Sequence, residues 1–238
     1  MLRFLFENNP GKGAKKRKRN FWLYSMGEFV LIFLGILIAL QVDNWNQVRQ
    51  VRNLETVMLK ELLENLKADL ADVNSNIDIH SSVISSKNIA LGFIDGDGPW
   101  HDSLATHFGK LNSGTIFYEN ISSFESLKSL GIDLISNDSI RQQITHLYST
   151  SYDHIGSLEE RDLTHTFEIM NASIAEHLFM TDPQYSYFPL DVSGLRESNG
   201  FRQNLLVSIR LNAIQLTIYN ALKEELLVLI ENIEKELS

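Results

Sequence analysis

From Phe21 to Val42 the chain reads Phe-Trp-Leu-Tyr-Ser-Met-Gly-Glu-Phe-Val-Leu-Ile-Phe-Leu-Gly-Ile-Leu-Ile-Ala-Leu-Gln-Val, with one charged residue, Glu28. A helix of this length rises roughly 33 Å, against a hydrocarbon core of about 30 Å. Trp22 and Tyr24 at one end and Trp45 at the other fall where an aromatic belt sits. The segment therefore predicts a transmembrane helix. A secretory leader has a shorter apolar region followed by a small-x-small cleavage site, whereas here Gln41-Val42-Asp43 follows Leu40.

Six cations, Lys12, Lys15, Lys16, Arg17, Lys18 and Arg19, precede the apolar run. Next to a span they set topology, because the positive flank stays on the cytoplasmic side. The organisation expected is a basic cytoplasmic tail over residues 1–20, a transmembrane helix over 21–42 and a periplasmic helical domain over 43–238. Formal charge divides accordingly, +6 in the tail and −14 beyond residue 42. An acidic exposed domain argues against nucleic acid as a partner. The absence of cysteine excludes disulfides and thiolate metal sites.

Later apolar windows, around Leu205 to Leu211 and Leu222 to Ile233, are broken by Arg210, Lys223, Glu224, Glu225 and Glu231, so a single crossing is expected. Beyond Trp45, the residues Val48, Val51, Leu54, Met58, Leu62, Leu66, Leu70, Val73 and Ile77 recur at spacings of three and four. That is the apolar stripe of an amphipathic helix continuing out of the membrane, with Glu61, Lys67, Asp69 and Asp72 among the residues between. Gly92, Gly96, Gly98 and Pro99 mark its end. Further helices are expected from Ser122 or Ser123, acting as cap, to Gly131, and from Asn137 or Asp138 past Gly156 to Leu178. Pro183 to Gly200 reads as a loop with exposed aromatics Tyr185, Tyr187 and Phe188, and Thr115 to Tyr118 as the one strand candidate. A last helix carries Leu206, Ile209, Ile214, Ile218, Leu222, Leu226, Ile230, Ile233 and Leu237. The fold class expected is all-α, one N-terminal transmembrane helix continuing into a long helix of an antiparallel helical bundle.

Gly27 to Asn46, with its Gly-Glu, its Gly-Ile-Leu-Ile-Ala-Leu-Gln and its Asn-Trp-Asn, resembles the span signature of an uncharacterised family of single-span proteins from Bacteroidota. Phe124 to Gly131, followed by Leu134 to Asp138, is similar to a second block of that family, with Leu130-Gly131 where Ser-Gly is common. The resemblance implies a bacterial inner-membrane protein with a periplasmic helical domain, and implies no activity.

Glu28 is the residue that stands out. On a helical wheel it shares a stripe with Gly35 and Ala39. Either that stripe is a helix-helix contact in the membrane, small residues allowing close approach, or Glu28 snorkels towards the basic flank. His146, His154, His165 and His177 read as surface or half-buried residues, since the Glu-x-x-His pairs of a di-iron bundle are missing around Asp162-x-x-His165. No phosphate loop, nucleophile elbow or His-Glu-x-x-His occurs, so no enzyme and no cofactor is expected. The expected role is a scaffold or accessory interaction protein, whose partners are the lipid bilayer and a second copy or another inner-membrane protein. The alternative is a periplasmic ligand-sensing helical domain, and an enzyme of unknown type stands third.

Overall fold

A computed structural model describes residues 11–181 and 186–238, with side chains from Met26 onward. The chain divides into two compact units, residues 1–54 and 55–238. The division falls within the first helix, α1 (Gly11–Asp95).

In the first unit, every described side chain from Met26 to Leu54 is exposed. Among the described residues nothing covers the apolar run, and α1 is long and apolar enough there to cross a membrane. Val48, Val51 and Leu54, at the start of the expected apolar stripe, are likewise exposed. Burial begins with Glu55 and Met58.

The second unit is built on three long rods: the remainder of α1, a rod over residues 138–177, and α8 (Asn199–Leu237). Pairs along their lengths give the directions. Lys67 meets Glu234 at 2.8 Å, Lys87 meets Ser208 at 2.7 Å, and Arg202 meets Asp95 at 2.7 Å, so α1 and α8 are antiparallel. Asn232 reaches Gln143 at 3.0 Å and Asn204 reaches Ser173 at 2.7 Å, so the middle rod is also antiparallel to α8. The all-α fold expected from the sequence is observed. By length and apolar composition α8 is a second helix able to cross a membrane, where only one was expected. About a third of its most apolar window is buried within the protein.

The middle rod is α4 (Asp138–His146), a π turn over 147–151, α5 (Tyr152–His165), a second π turn over 166–170, and α6 (Asn171–His177). Asn137 caps α4, its side-chain oxygen accepting from Ser139 N and Ile140 N, as expected of Asn at that position. Ahead of it, α3 (Ser122–Leu130) ends at Gly131, whose φ of 101° is the left-handed conformation that glycine supplies. Ser122 and Ser123 do not cap α3; their hydroxyls accept from Asn65 Nδ2 at 3.2 and 2.8 Å instead.

A short helix α2 (Ala105–Phe108) follows the end of α1. A two-stranded antiparallel hairpin, β1 (Leu178–Met180) with β2 (Tyr187–Pro189), and α7 (Val192–Glu197) precede α8. The expected loop from Pro183 to Gly200 thus holds a strand, a helix and the start of α8. Tyr187 and Phe188 are half-buried rather than exposed, with Tyr187 packed on apolar core, and Tyr185 lies outside the described residues.

Thr115 to Tyr118 is not a strand. It bridges α1 and α5, and side chains take the place of a neighbouring strand. Phe117 N donates to Glu159 Oε1 at 2.9 Å, Tyr118 N to Asp72 Oδ2 at 3.2 Å and Asn120 N to Asp69 Oδ1 at 3.0 Å. Backbone donors without a neighbouring strand need other acceptors, and three carboxylates supply them.

Two apolar cores result. The first gathers Leu59, Leu62, Leu66 and Val73 of α1, Leu127 of α3, Ile144 to Ile155 of the middle rod, and Tyr219 to Ile233 of α8. The second gathers Ala90, Phe93 and Ile94 of α1, Phe108, Leu111, Met170, Ile174, Leu195, Phe201 and Leu205. Along each rod the stretch between the cores buries polar residues: Asn76, His80, Ser86 and Lys87 on α1, Glu159 to Thr166 on the middle rod, and Ser208, Asn212 and Gln215 on α8.

Candidate functional site

The polar belt between the cores is the unusual chemistry of this fold. Lys87 is fully buried and donates from Nζ to Ser208 Oγ and to Asn212 Oδ1, both at 2.7 Å. Asn212, also fully buried, passes the contact on: its Nδ2 donates to Asp162 Oδ2 at 3.0 Å and to Gln215 Oε1 at 3.1 Å. Three rods are therefore tied by one chain of hydrogen bonds running from ammonium through amide to carboxylate. Nearby, Tyr219 OH donates to Glu159 Oε1, and the Tyr219 ring lies 5.3 Å from that of His80. Towards the first core, Tyr152 OH donates to Asp69 Oδ2 at 2.6 Å, so Asp69 is a buried anchor and not a residue of a solvated face.

Burial sets the proton affinities. It holds the Lys87 ammonium well below its usual range, at about 8, against the opposing pull of Asp162. It raises the carboxyl of Asp162 against the charge of Lys87 and a hydrogen bond from Asn212, that of Glu159 against hydrogen bonds from Tyr219 and Phe117, and that of Asp69 against those from Tyr152 and Asn120. His80, packed in the belt with no partner among the described residues for either ring nitrogen, is lowered to about 4 by burial first and by Lys87 second.

That shift has a direction. Between pH 6.5 and 4 the unfolded chain takes a proton at His80 that the fold refuses, so this contribution to stability is present above that window and lost as pH falls through it. The raised carboxyls act the opposite way, adding stability as they protonate. His80→Phe separates the two. The stability difference between wild type and variant should change by up to about 3 kcal/mol between pH 7 and pH 4. Urea denaturation at each pH measures it, and parallel profiles would show that His80 does not titrate there.

A pocket of about 290 Å³ opens onto the belt. Its wall is formed by Glu159, Asp162, Leu163, Thr166 and Phe167 of the middle rod, Asn112, Gly114, Thr115 and Ile116 of the segment between α2 and α3, and Gln215 of α8. The second π turn begins at Thr166 and places Thr166 and Phe167 on this wall; such widened turns frequently occur at functional sites. Asn76 of α1 holds Thr115 in place, accepting from its Oγ1 at 2.7 Å. Asp162 is nine-tenths buried, and its Oδ1 has no hydrogen-bond partner among the described residues. His165 Nδ1 is also without one. Native folds leave few such atoms, and a buried carboxylate oxygen without a donor is costly. Larger grooves lie over Lys60 to Ser126 and over Phe117 to Glu160, and among the described residues neither wall includes a buried side-chain atom with a missing partner.

The residues singled out in the sequence fall elsewhere. Glu28, Gly35 and Ala39 lie exposed on α1 of the first unit, and a Cβ built on Gly35 meets nothing within 4 Å. Lys12, Lys15, Lys16, Arg17, Lys18 and Arg19 lie on α1 ahead of the described side chains. Of the histidines, His146 and His154 are exposed and His177 half-buried as expected, but His165 is buried. The belt was missed because its residues read as the polar face of a helix. One signal existed: Asp69, Asn76, His80 and Lys87 continue the spacing of three and four set by Leu66 and Val73.

Fold and site together define a helical protein with a span-length apolar helix and a polar pocket let into its helical domain. The chain belongs to a family of unknown function, DUF6090, whose model matches residues 28–166. That range holds Glu28, Gly35 and Ala39 as well as Glu159, Asp162 and Thr166 of the pocket wall. No curated protein and no solved structure matches the chain.

Proposed function

We propose that this is a single-span protein of a bacterial inner membrane whose periplasmic helical domain receives a small ligand in the pocket at the polar belt. The observation that carries the reading is Asp162, a wall residue nine-tenths buried with one carboxylate oxygen lacking a donor. A pocket with a few convergent polar groups and burial-shifted carboxyls is the physical profile of a binding site. The membrane assignment rests on the bare apolar run of α1, and the orientation on the basic tail before it. The scaffold reading has its own support in the uncovered stripe of Glu28, Gly35 and Ala39, which we propose as the contact of the span with a second copy or another membrane protein.

The cysteine-free sequence permits one experiment on these points. Phe167→Cys, at the exposed rim of the pocket, should react with a membrane-impermeant maleimide in cells whose outer membrane alone is permeabilised. A periplasmic small-molecule extract should slow that labelling in the full-length protein, while leaving a cysteine at exposed Val228 unaffected. Labelling only after lysis would reverse the orientation, and equal rates with and without extract would count against the pocket. In the same background, Gly35→Cys should crosslink within the membrane, and its failure to do so would leave the stripe as a lipid-facing anchor.

A further inference from the structure

We infer that the ligand of this pocket is a small organic cation carrying a primary ammonium group, held by Asp162 and Glu159 with its carbon chain against Ile116, Leu163 and Phe167. The inference rests on the ligand-pocket reading above and adds the chemistry of the occupant.

Among the described residues the wall carries two carboxylates and no cation. Lys87, the buried ammonium of the belt, is not part of it, and two of its three donors are engaged by Ser208 and Asn212. An anionic ligand would meet Asp162 and Glu159 with no positive group on the wall, and like charges in a poorly solvated site repel strongly. The internal donors available to the carboxylates are unequally shared. Glu159 Oε1 accepts from Tyr219 OH and from Phe117 N, and Asp162 Oδ2 accepts from Asn212, which leaves Asp162 Oδ1 with none. An ammonium brings three donors and a positive charge to a carboxylate with one oxygen short of a donor, and buried charges are stable when paired and hydrogen-bonded.

The remaining wall fits the rest of such a molecule. Thr115, Thr166, Asn112 and Gln215 provide side-chain oxygens that accept from further N–H groups. Ile116, Leu163 and the Phe167 ring provide apolar surface for a short chain, and an aromatic face also attracts a cation. A volume of about 290 Å³ is roughly ten waters' worth, enough for a short-chain amine and too little for a folded peptide.

The test uses the full-length protein in nanodiscs, with 1,4-diaminobutane as probe and 1,4-butanediol and succinate as neutral and anionic counterparts of the same chain length. Isothermal titration should show saturable binding of the diamine, tenfold or more tighter than either counterpart. Asp162→Asn, which keeps the shape and the contact with Asn212, should weaken it tenfold or more. Gly114→Leu should abolish it by filling the pocket: a Cβ there meets only Asp162 Oδ2, at 3.8 Å, and the backbone takes an ordinary conformation. Phe167→Ala, at a side chain 68% exposed and safe for folding, should weaken binding severalfold. If the diol or succinate binds as well as the diamine and Gly114→Leu still removes it, the cationic class is wrong and the pocket stands. If the diamine binds equally to Gly114→Leu, the pocket itself is wrong. If no diamine binds at millimolar concentration, the cationic class is overturned.

Discussion

Leu66→Asp is expected to destabilise the helical domain by about 5 kcal/mol, which leaves little or none of it folded at room temperature. Leu66 is fully buried in the first apolar core, among Leu62, Leu127 and Ile144. Removing its side chain forfeits a few kcal/mol of burial and leaves a cavity, and the new carboxyl has no donor within an apolar shell. Domains of this size hold roughly 5 to 15 kcal/mol in total. Circular dichroism of the full-length protein in detergent, followed through urea denaturation, should show early loss of the domain's helix. Val228→Asp, at a half-exposed position of α8, should change the stability by less than about 0.5 kcal/mol. Equal behaviour of the two variants would remove α1 from the core.

The second large effect concerns Lys87. Lys87→Ala deletes the ammonium that donates to Ser208 and Asn212, and takes away the buried cation that offsets Asp162 in the belt. Breaking a buried polar pair from one side costs about 3 to 5 kcal/mol, because the partner charge is left uncompensated. Replacing both sides is different. Lys87→Met combined with Asp162→Asn restores volume and removes the stranded charge, and should regain most of the loss. Chemical denaturation of the single and double variants measures the coupling, and a double variant as unstable as Lys87→Ala alone would show that the charge of Asp162 is not what the ammonium offsets.

The outline of this fold was legible because it is written in apolar periodicity. Met58, Leu62, Leu66 and Val73 are core residues in the places their spacing requires, Asn137 caps α4, and Gly131 stops α3. The periodicity misled wherever burial and hydrophobicity part company. On α8 the expected stripe ran through Leu206, Ile209 and Ile214, which are half-buried or exposed, while the inner face at that level is Leu205, Ser208, Asn212 and Gln215. A reader following apolar residues is led off the buried face by one position. Val48, Val51 and Leu54 show the opposite case, an apolar rhythm carried into a stretch that no described residue covers. The pocket itself needs three separate segments brought together, Asn112 to Ile116, Glu159 to Phe167 and Gln215, and no local pattern announces that meeting.

The π turns at 147–151 and 166–170 bear on how this chain tolerates changes of length. A π turn is an α-helix that has taken in an extra residue without passing the offset along. In a plain helix one added residue turns everything after it by about 100°, which carries core side chains to the surface. The middle rod contains two such absorbed residues, one on each side of α5, and still presents Ile144, Ile155 and Ile174 to the interior. Homologous chains are accordingly expected to gain or lose single residues at these two places, while the stretches of α1 and α8 that form the belt keep a fixed count.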